Sequence, residues 1–215
     1  MPRILFGWEL GANRGHLVRM ADLAARMTAD GHEVHVAAQR LARNFAWPPG
    51  VRFWQAPIWP RLLNNVGPLG GPLPNTMGDI LVRLGLDQPD VLPMLVDGWS
   101  SILHAVRPDA VGADFAPALL LAARGRVPTV QIGLAFDSVP SHLGAFPSLT
   151  GQPATYPEPE VLERVNAGLV AAGHIALQHL PELFHADHLL AGTFTELDCY
   201  AAWRREPVVA PSVAH

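Results

Sequence analysis

Apolar and polar positions along the first forty residues follow two different periods. Residues 3–8 form a short apolar run typical of a buried strand. The next segment repeats apolar residues at helical spacing, at Leu17, Met20, Ala21, Ala24 and Met27. Gly31 ends this predicted helix, and residues 33–38 form a second strand. The strand–helix–strand order predicts two parallel strands joined by a right-handed crossover.

The same alternation continues along the chain. Further strands are predicted at residues 51–56, 110–113, 129–133 and 188–192, and helices at residues 92–106, 117–125 and 162–180. Loops rich in Pro and Gly occupy residues 57–74 and 134–159, and periodicity is lost from residue 201. This pattern predicts a doubly wound, Rossmann-like three-layer α/β/α domain with a mainly parallel sheet over residues 1–200, followed by an irregular tail over residues 201–215.

The composition is that of a rather apolar globular domain. The chain has 215 residues, of which 49% are hydrophobic and 16% charged, and its net charge is −4. A negative charge without a basic patch disfavours nucleic acid as a partner. No window of about 18 residues is apolar and free of charge and proline, and the first apolar run is too short for a signal peptide. We therefore expect no membrane span and a cytoplasmic location.

The absence of lysine and the presence of only one cysteine each exclude whole classes of chemistry. All fifteen basic residues are arginine, so neither a Walker A phosphate loop nor a Schiff-base lysine can form. Cys199 is the one cysteine, which excludes an intramolecular disulfide and a cysteine-based metal site. His185 and His188 have a spacing that could chelate zinc, but Pro181 interrupts the histidine-rich segment, and we expect ordinary helix-end or surface histidines there.

A glycine-rich loop lies between the first strand and the first helix. Its glycines, Gly7, Gly11 and Gly15, are four residues apart, unlike the dinucleotide fingerprint, and the second strand ends in A-Q-R without the acid that binds a ribose. A nicotinamide or flavin enzyme is therefore disfavoured. His16 falls in the first helical turn, where the helix dipole favours a diphosphate and a neutral imidazole able to accept a proton. Alternatively, His16 only caps or packs against the loop.

Three blocks of the sequence resemble a known family. They are G-W-E-L-G-A-N-R-G-H at residues 7–16 with G-H-E-V at 31–34, P-D-A-V-G-A-D-F-A-P-A-L-L-L-A-A-R-G-R-V-P-T-V at 108–130, and H-A-D-H-L-L-A-G-T-F-T-E-L-D at 185–198. In this order they resemble the N-terminal half of GT-B-fold glycosyltransferases, in particular bacterial proteins related to UDP-glucuronosyltransferases. The resemblance covers nearly all of the chain, to about residue 200.

The resemblance implies a catalytic pair. His16 corresponds to the general base that deprotonates the acceptor hydroxyl, and Asp114 to the acid that orients this base and balances its charge. The alternative role for Asp114 is a helix N-cap, although Ala116 before Pro117 fits that position better.

Residues of the two loops beside this pair are expected to line the substrate site: Trp8, Glu9, Gly11, Ala12, Asn13, Gly15, Phe136, Asp137 and Ser138. The stretch from Gly11 to Gly15 would face the diphosphate of the donor. Glu9 is either a partner of Arg14 or a pocket carboxylate. The aromatic residues between positions 47 and 59 are either loop packing or a lid over an apolar acceptor pocket.

The resemblance also implies what the chain would need from elsewhere. In the family, a C-terminal half holds the nucleotide-sugar donor, and no such half is recognisable in this sequence. We therefore expect the acceptor-binding half of an inverting, metal-independent glycosyltransferase. Its substrates would be a UDP- or dTDP-sugar and a small apolar acceptor, with no other cofactor. The donor would be held by a C-terminal domain or a partner chain, and the chain alone would be inactive. The alternative is a non-catalytic, stand-alone binding or accessory protein.

Overall fold

The computed structural model describes residues 1–11, 14–40, 45–63 and 72–210. Ala12 and Asn13, two of the predicted site residues, lie outside the described residues. Seven strands form one sheet: β1 Arg3–Trp8, β2 Glu33–Ala38, β3 Arg52–Gln55, β4 Ala110–Asp114, β5 Thr129–Gly133, β6 His188–Gly192 and β7 Val208–Val209. The helices are α1 Arg14–Ala29, α2 Pro60–Leu63, α3 Met77–Arg83, α4 Val91–Val106, α5 Pro117–Ala123 and α6 Glu158–Ala171.

The sheet has the doubly wound order β3-β2-β1-β4-β5-β6-β7, and every pair of neighbouring strands is parallel. The chain moves outward from β1 to β3, returns to the centre at β4 and then moves to the opposite edge. This reversal places a switch point between β1 and β4, where Trp8 is in register with Asp114. Ligands bind at such a switch point, beyond the carboxyl ends of the strands.

Alternating side chains of β1 divide the core into two layers. Phe6 and Trp8 pack with α1 on one face of the sheet, while Leu5 packs with α4 and α5 on the other. Gly7 also faces the second layer, where a Cβ would overlap Leu119 of α5. Gly7 therefore permits close helix packing and does not contact a phosphate. The three-layer α/β/α prediction is confirmed.

Several elements differ from the prediction. The helix expected over residues 162–180 begins earlier and ends at Ala171, because Gly173 takes a left-handed conformation with φ +81°. A separate 3₁₀ helix follows at Leu180–Phe184. The tail expected to be irregular contributes β7, which pairs with β6. Among the described residues, no helix is both long and apolar enough to cross a bilayer.

Helix α3 was not predicted, because its seven residues are too few to show helical periodicity and no proline marks its first position, as Pro117 does in α5. A capping box forms it: Thr76 Oγ1 accepts the amide of Asp79 at 3.1 Å, and Asp79 accepts the amide of Thr76 at 3.0 Å. Four residues of the first Pro- and Gly-rich loop likewise form the short helix α2, while residues 64–71 of that loop lie outside the described part of the chain.

Candidate active site

The carboxyl ends of β1, β4 and β5 meet at the switch point and bring three ionisable side chains together. His16 lies in the first turn of α1, which follows β1 after the glycine-rich loop. Asp114 is the last residue of β4, and Asp137 lies in the loop that follows β5. His16 and Asp114 are 98 positions apart in sequence, so only the parallel order of the strands makes them neighbours.

His16 and Asp114 form a hydrogen-bonded pair. Nδ1 of His16 lies 2.7 Å from Oδ1 of Asp114, whose side chain is only 1% exposed. A carboxylate accepts hydrogen bonds, so Nδ1 carries the hydrogen and donates it, which leaves the lone pair of Nε2 free. The N-cap alternative for Asp114 is wrong, because Ala116 occupies the cap of α5. The His16 side chain is 12% exposed and is therefore reachable from solvent.

Arg19 is a member of this site that sequence reasoning missed. Arg19 lies on α1 outside the repeating apolar positions of the helix. Its guanidinium donates to both oxygens of Asp114, from Nη2 to Oδ1 at 2.6 Å and from Nε to Oδ2 at 2.9 Å. Nη2 also donates to Oδ2 of Asp137 at 3.1 Å. The available signal was its spacing, since a residue three positions after His16 lies on the same side of the helix.

Burial and charge shift two pKa values at this site. Burial alone would lower the pKa of Arg19, but the hydrogen bond and charge of Asp114, followed by those of Asp137, outweigh it and raise the pKa. Burial raises the pKa of Asp137, while the charges of Arg19 and His16 oppose that shift. Arg19 is therefore a permanent cation held between two carboxyl groups.

The imidazole and the two carboxyl groups are spaced closely enough to hold a metal ion. Among the described residues, His16, Asp114 and Asp137 form the one group of three such side chains. Nη2 of Arg19 already lies within 3.2 Å of an atom of each of them. A guanidinium thus supplies the positive charge at this position. His185 and His188 find no third ligand within the described ranges.

Aromatic rings surround the imidazole. The ring of His16 is nearly parallel to that of Trp8, with centroids 5.2 Å apart, and to that of Phe115, with centroids 6.3 Å apart. Trp8 itself is buried and donates from Nε1 to the carbonyl of Leu10. Phe136 packs edge-on against Phe115 and is 42% exposed. Of these rings, Phe136 offers the most surface to solvent, and it reaches His16 only through Phe115.

Glu9 has neither of the roles considered for it. Its carboxylate is fully buried and accepts the amides of Leu119 and Ala118, at 2.7 and 3.2 Å, at the start of α5. It also accepts Nε1 of Trp59 at 3.0 Å. Burial raises the pKa of Glu9 to about 7, although these donors act to lower it. The expectation that Glu9 lines the substrate site is therefore wrong, because it joins the end of β1 to α5 inside the core.

Ser138 is also placed away from substrate. It is fully buried, and its hydroxyl donates to the carbonyl of Leu134 and lies 3.2 Å from that of Ala135. Arg204 donates to the Ser138 carbonyl at 3.0 Å and to Asp198 at 2.9 Å. The segment after β6 thereby holds the loop that carries Asp137. Ser138 supports the site and does not line it.

The two glycines nearest His16 differ in the room that they leave for a side chain. Gly11 has φ +88°, and a Cβ there would overlap Nε2 of His16. Gly15 lies within α1, and a Cβ there would meet none of the described atoms within 4 Å. A side chain at position 11 would thus collide with the imidazole of His16, while a side chain at position 15 would not.

The aromatic residues between positions 47 and 59 are engaged in packing. Trp47 packs edge-on against Phe53, Trp54 donates to Nδ1 of His35 at 2.8 Å, and Trp59 is buried against Glu9. The packing interpretation therefore describes Trp54 and Trp59.

Comparison with known proteins shows the fold. No family model and no curated protein matches the sequence. Among solved structures, the kitacinnamycin glycotransferase (TM-score 0.60, 16% identity) and the calicheamicin glycosyltransferase CalG4 (TM-score 0.60, 14% identity) match the whole chain. The glycosyltransferase SnogD from Streptomyces nogalater (TM-score 0.52, 18% identity) matches 89% of it.

The chain spans about half of each of these structures, namely 52%, 54% and 45% of their lengths. At such low identity the similarity establishes a shared architecture, the Rossmann-like α/β fold of GT-B glycosyltransferases.

Proposed function

We propose that this chain is the acceptor-binding half of an inverting, nucleotide-sugar-dependent glycosyltransferase. The observation that carries the proposal is the His16–Asp114 pair, with its 2.7 Å hydrogen bond and its free Nε2, at the switch point of the sheet. The fold shared with solved glycosyltransferases supports the same conclusion. A stand-alone protein that has lost its chemistry is less well supported, because the pair is intact.

In the proposed reaction, Nε2 of His16 takes the proton of an acceptor hydroxyl. The oxygen forms a bond to the anomeric carbon of the sugar as the bond from that carbon to the donor's diphosphate breaks. The nucleoside diphosphate leaves, and the configuration inverts. Asp114 accepts the hydrogen bond from Nδ1, remains ionised and stabilises the imidazolium that forms. General-base assistance of this kind contributes about 10²–10⁴ in rate.

The surroundings of the pair suggest the substrate class. The exposed ring of Phe136 beside Phe115 suits a small apolar acceptor that bears a hydroxyl. The start of α1 with the open space at Gly15 suits the diphosphate of a UDP- or dTDP-sugar. The start of α5 is occupied by Glu9. We propose that a C-terminal domain or a partner chain holds the rest of the donor and that activity requires it.

The test combines the 215-residue chain, fused or mixed, with the donor-binding half of a related glycosyltransferase. Transfer from UDP- and dTDP-sugars to a panel of apolar hydroxylated acceptors is then measured. We expect His16→Ala to lower kcat/KM by about 10²–10⁴. His104→Ala, an exposed histidine in the last turn of α4, is the matched control and should retain full activity. Full turnover by the His16→Ala variant would reject the assignment.

A further inference from the structure

One guanidinium and two carboxyl groups contact the imidazole of His16. Nδ1 of His16 lies 2.7 Å from Asp114, 3.2 Å from Nη2 of Arg19 and 3.8 Å from Oδ2 of Asp137. The side chains of Asp114 and Asp137 are 1% and 7% exposed, so water screens these charges only weakly. The rings of Trp8 and Phe115, which also face the imidazole, carry no charge.

The contact between Arg19 and His16 is not a hydrogen bond. Nδ1 already donates to Asp114, and a guanidinium has only donors, so the two nitrogens meet donor to donor. The positive charge of Arg19 therefore opposes the gain of a proton by His16. Arg19 also engages both oxygens of Asp114, which fixes the plane of that carboxylate but neutralises part of its charge.

Asp137 supplies the charge that Arg19 removes. With Arg19 and Asp114 alone, the cluster would be neutral before proton uptake and positive after it, in a site that is mostly buried. With Asp137 ionised, the cluster carries one negative charge beforehand and becomes neutral when His16 is protonated. A buried cluster that becomes neutral is favoured over one that becomes charged.

We propose that Arg19 and Asp137 are positioning residues that set the proton affinity of His16 in opposite directions. Arg19 holds Asp114 in place and weakens the base, and Asp137 restores its strength. The proposal rests on the proposed role of His16 as a base. It extends the catalytic pair to a cluster of four side chains from α1, β4 and the loop after β5.

The fold holds both residues in place independently of His16. Arg19 lies on α1, the helix that carries His16. The other oxygen of Asp137, Oδ1, accepts the backbone amide of Leu134. Arg204 donates to the carbonyl and the hydroxyl of Ser138, at 3.0 and 3.1 Å, and so holds the adjacent residue. Asp137 can therefore act on Arg19 from a loop that is held at both ends.

The test follows the NMR titration of the His16 imidazole in the 215-residue chain, which needs neither donor nor acceptor. We expect Asp137→Asn to move the midpoint of the His16 titration to lower pH by about one unit, and Arg19→Gln to move it to higher pH by about one unit. The double variant restores the charge balance, so its midpoint should lie near that of the wild type. Arg19→Lys retains the cation and should also stay near the wild type.

Arg26→Gln is the matched control, since Arg26 lies on the same helix but pairs with Asp22 at the surface, at 3.2 Å. It should leave the His16 titration unchanged, and amide NMR spectra would verify that each variant is folded. Two single variants that shift the midpoint in the same direction, or an Asp137→Asn variant that shifts nothing, would overturn the proposal.

The pH profile of kcat/KM in the assembled enzyme provides a second readout. The acid limb should follow the NMR midpoint, moving down in Asp137→Asn and up in Arg19→Gln. Shifts of opposite sign in the two single variants, without any transfer activity, would support the charge cluster and reject the proposed function. Transfer activity without shifts of opposite sign in the two single variants would support the proposed function and reject the charge cluster.

Discussion

Gly11 determines where the ring of His16 can lie. Its φ of +88° is in a region that L-residues rarely adopt, and a Cβ at this position would overlap Nε2, the atom proposed to take the proton. A side chain at this position would strain the backbone and displace the imidazole. The glycine at position 11 is therefore explained by the room that the imidazole of His16 needs.

The prediction at the residue scale compares alanine at Gly11 with alanine at Gly15. Gly11→Ala should cost more than about 1 kcal/mol of unfolding free energy and disturb the His16–Asp114 hydrogen bond. Gly15→Ala adds a methyl group into open space within a helix and should be neutral or stabilise by about 0.5–1 kcal/mol. Urea unfolding measures the unfolding free energy of each variant, and imidazole NMR reports on the His16–Asp114 hydrogen bond. Equal behaviour of the two variants would contradict the steric explanation.

A single carboxylate at the start of α3 joins two segments that are distant in the sequence. Asp79 accepts four backbone amides, from Asn75 and Thr76 on one side, at 2.8 and 3.0 Å, and from Thr155 and Tyr156 on the other, at 3.1 and 2.9 Å. Burial acts to raise the pKa of Asp79, but these four donors together lower it. Asp79 thus holds the end of the second loop against the beginning of α3.

At the scale of elements, we predict that Asp79→Asn destabilises the protein by about 2–3 kcal/mol, because an amide NH₂ would face backbone donors. Since the folded-state pKa is lowered, the wild-type advantage should be complete above the ordinary carboxyl pKa and should disappear as the pH falls through the lowered value. Urea unfolding at neutral and acidic pH measures both.

Asp90→Asn is the control for this prediction. Asp90 is an exposed N-cap of α4 without a side-chain hydrogen bond, and its variant should change stability by no more than about 0.5 kcal/mol. If Asp90→Asn lowered the unfolding free energy as much as Asp79→Asn does, the hydrogen bonds from backbone amides to Asp79 would not be the cause.

Long helices could be predicted from their repeating apolar positions, whereas some short elements could not be predicted. Helices α1 and α4 have sixteen residues each, so their apolar positions repeat often enough to reveal the period. Helix α3 and strand β7 have seven and two residues. Their formation depends on a capping carboxylate and on pairing with β6, which are contacts that periodicity does not report.

On the scale of the whole molecule, buried carboxyl groups make stability depend on pH. Burial raises the pKa of Glu9, and also that of Glu158, from the usual value of 4.5 to about 7. The folded state therefore retains protons that the unfolded chain releases above about pH 4.5. Stability from these groups is complete below that pH and is lost as the pH rises through about 7.

We accordingly expect the wild type to become less stable between about pH 5 and pH 8, and Glu9→Gln to show a flatter profile. Between about pH 5 and pH 8, the unfolding free energy of Glu9→Gln should gain about 2 kcal/mol relative to that of the wild type. Thermal or urea unfolding at several pH values measures it. Parallel profiles for the two proteins would show that Glu9 remains ionised throughout.

The sequence by itself determined the order of the first six strands and of helices α1, α4, α5 and α6 and, through the family resemblance, the choice of His16 and Asp114 as a candidate pair. This was possible because apolar periodicity is a local property, and parallel strands must place their carboxyl ends at one edge of the sheet. Only the tertiary structure decided the surroundings of the pair. Arg19 and Asp137 are 118 positions apart, and Glu9 and Leu119 are 110 apart. Whether such side chains meet depends on packing across the sheet, so Arg19 is a member of the site and Glu9 a part of the core.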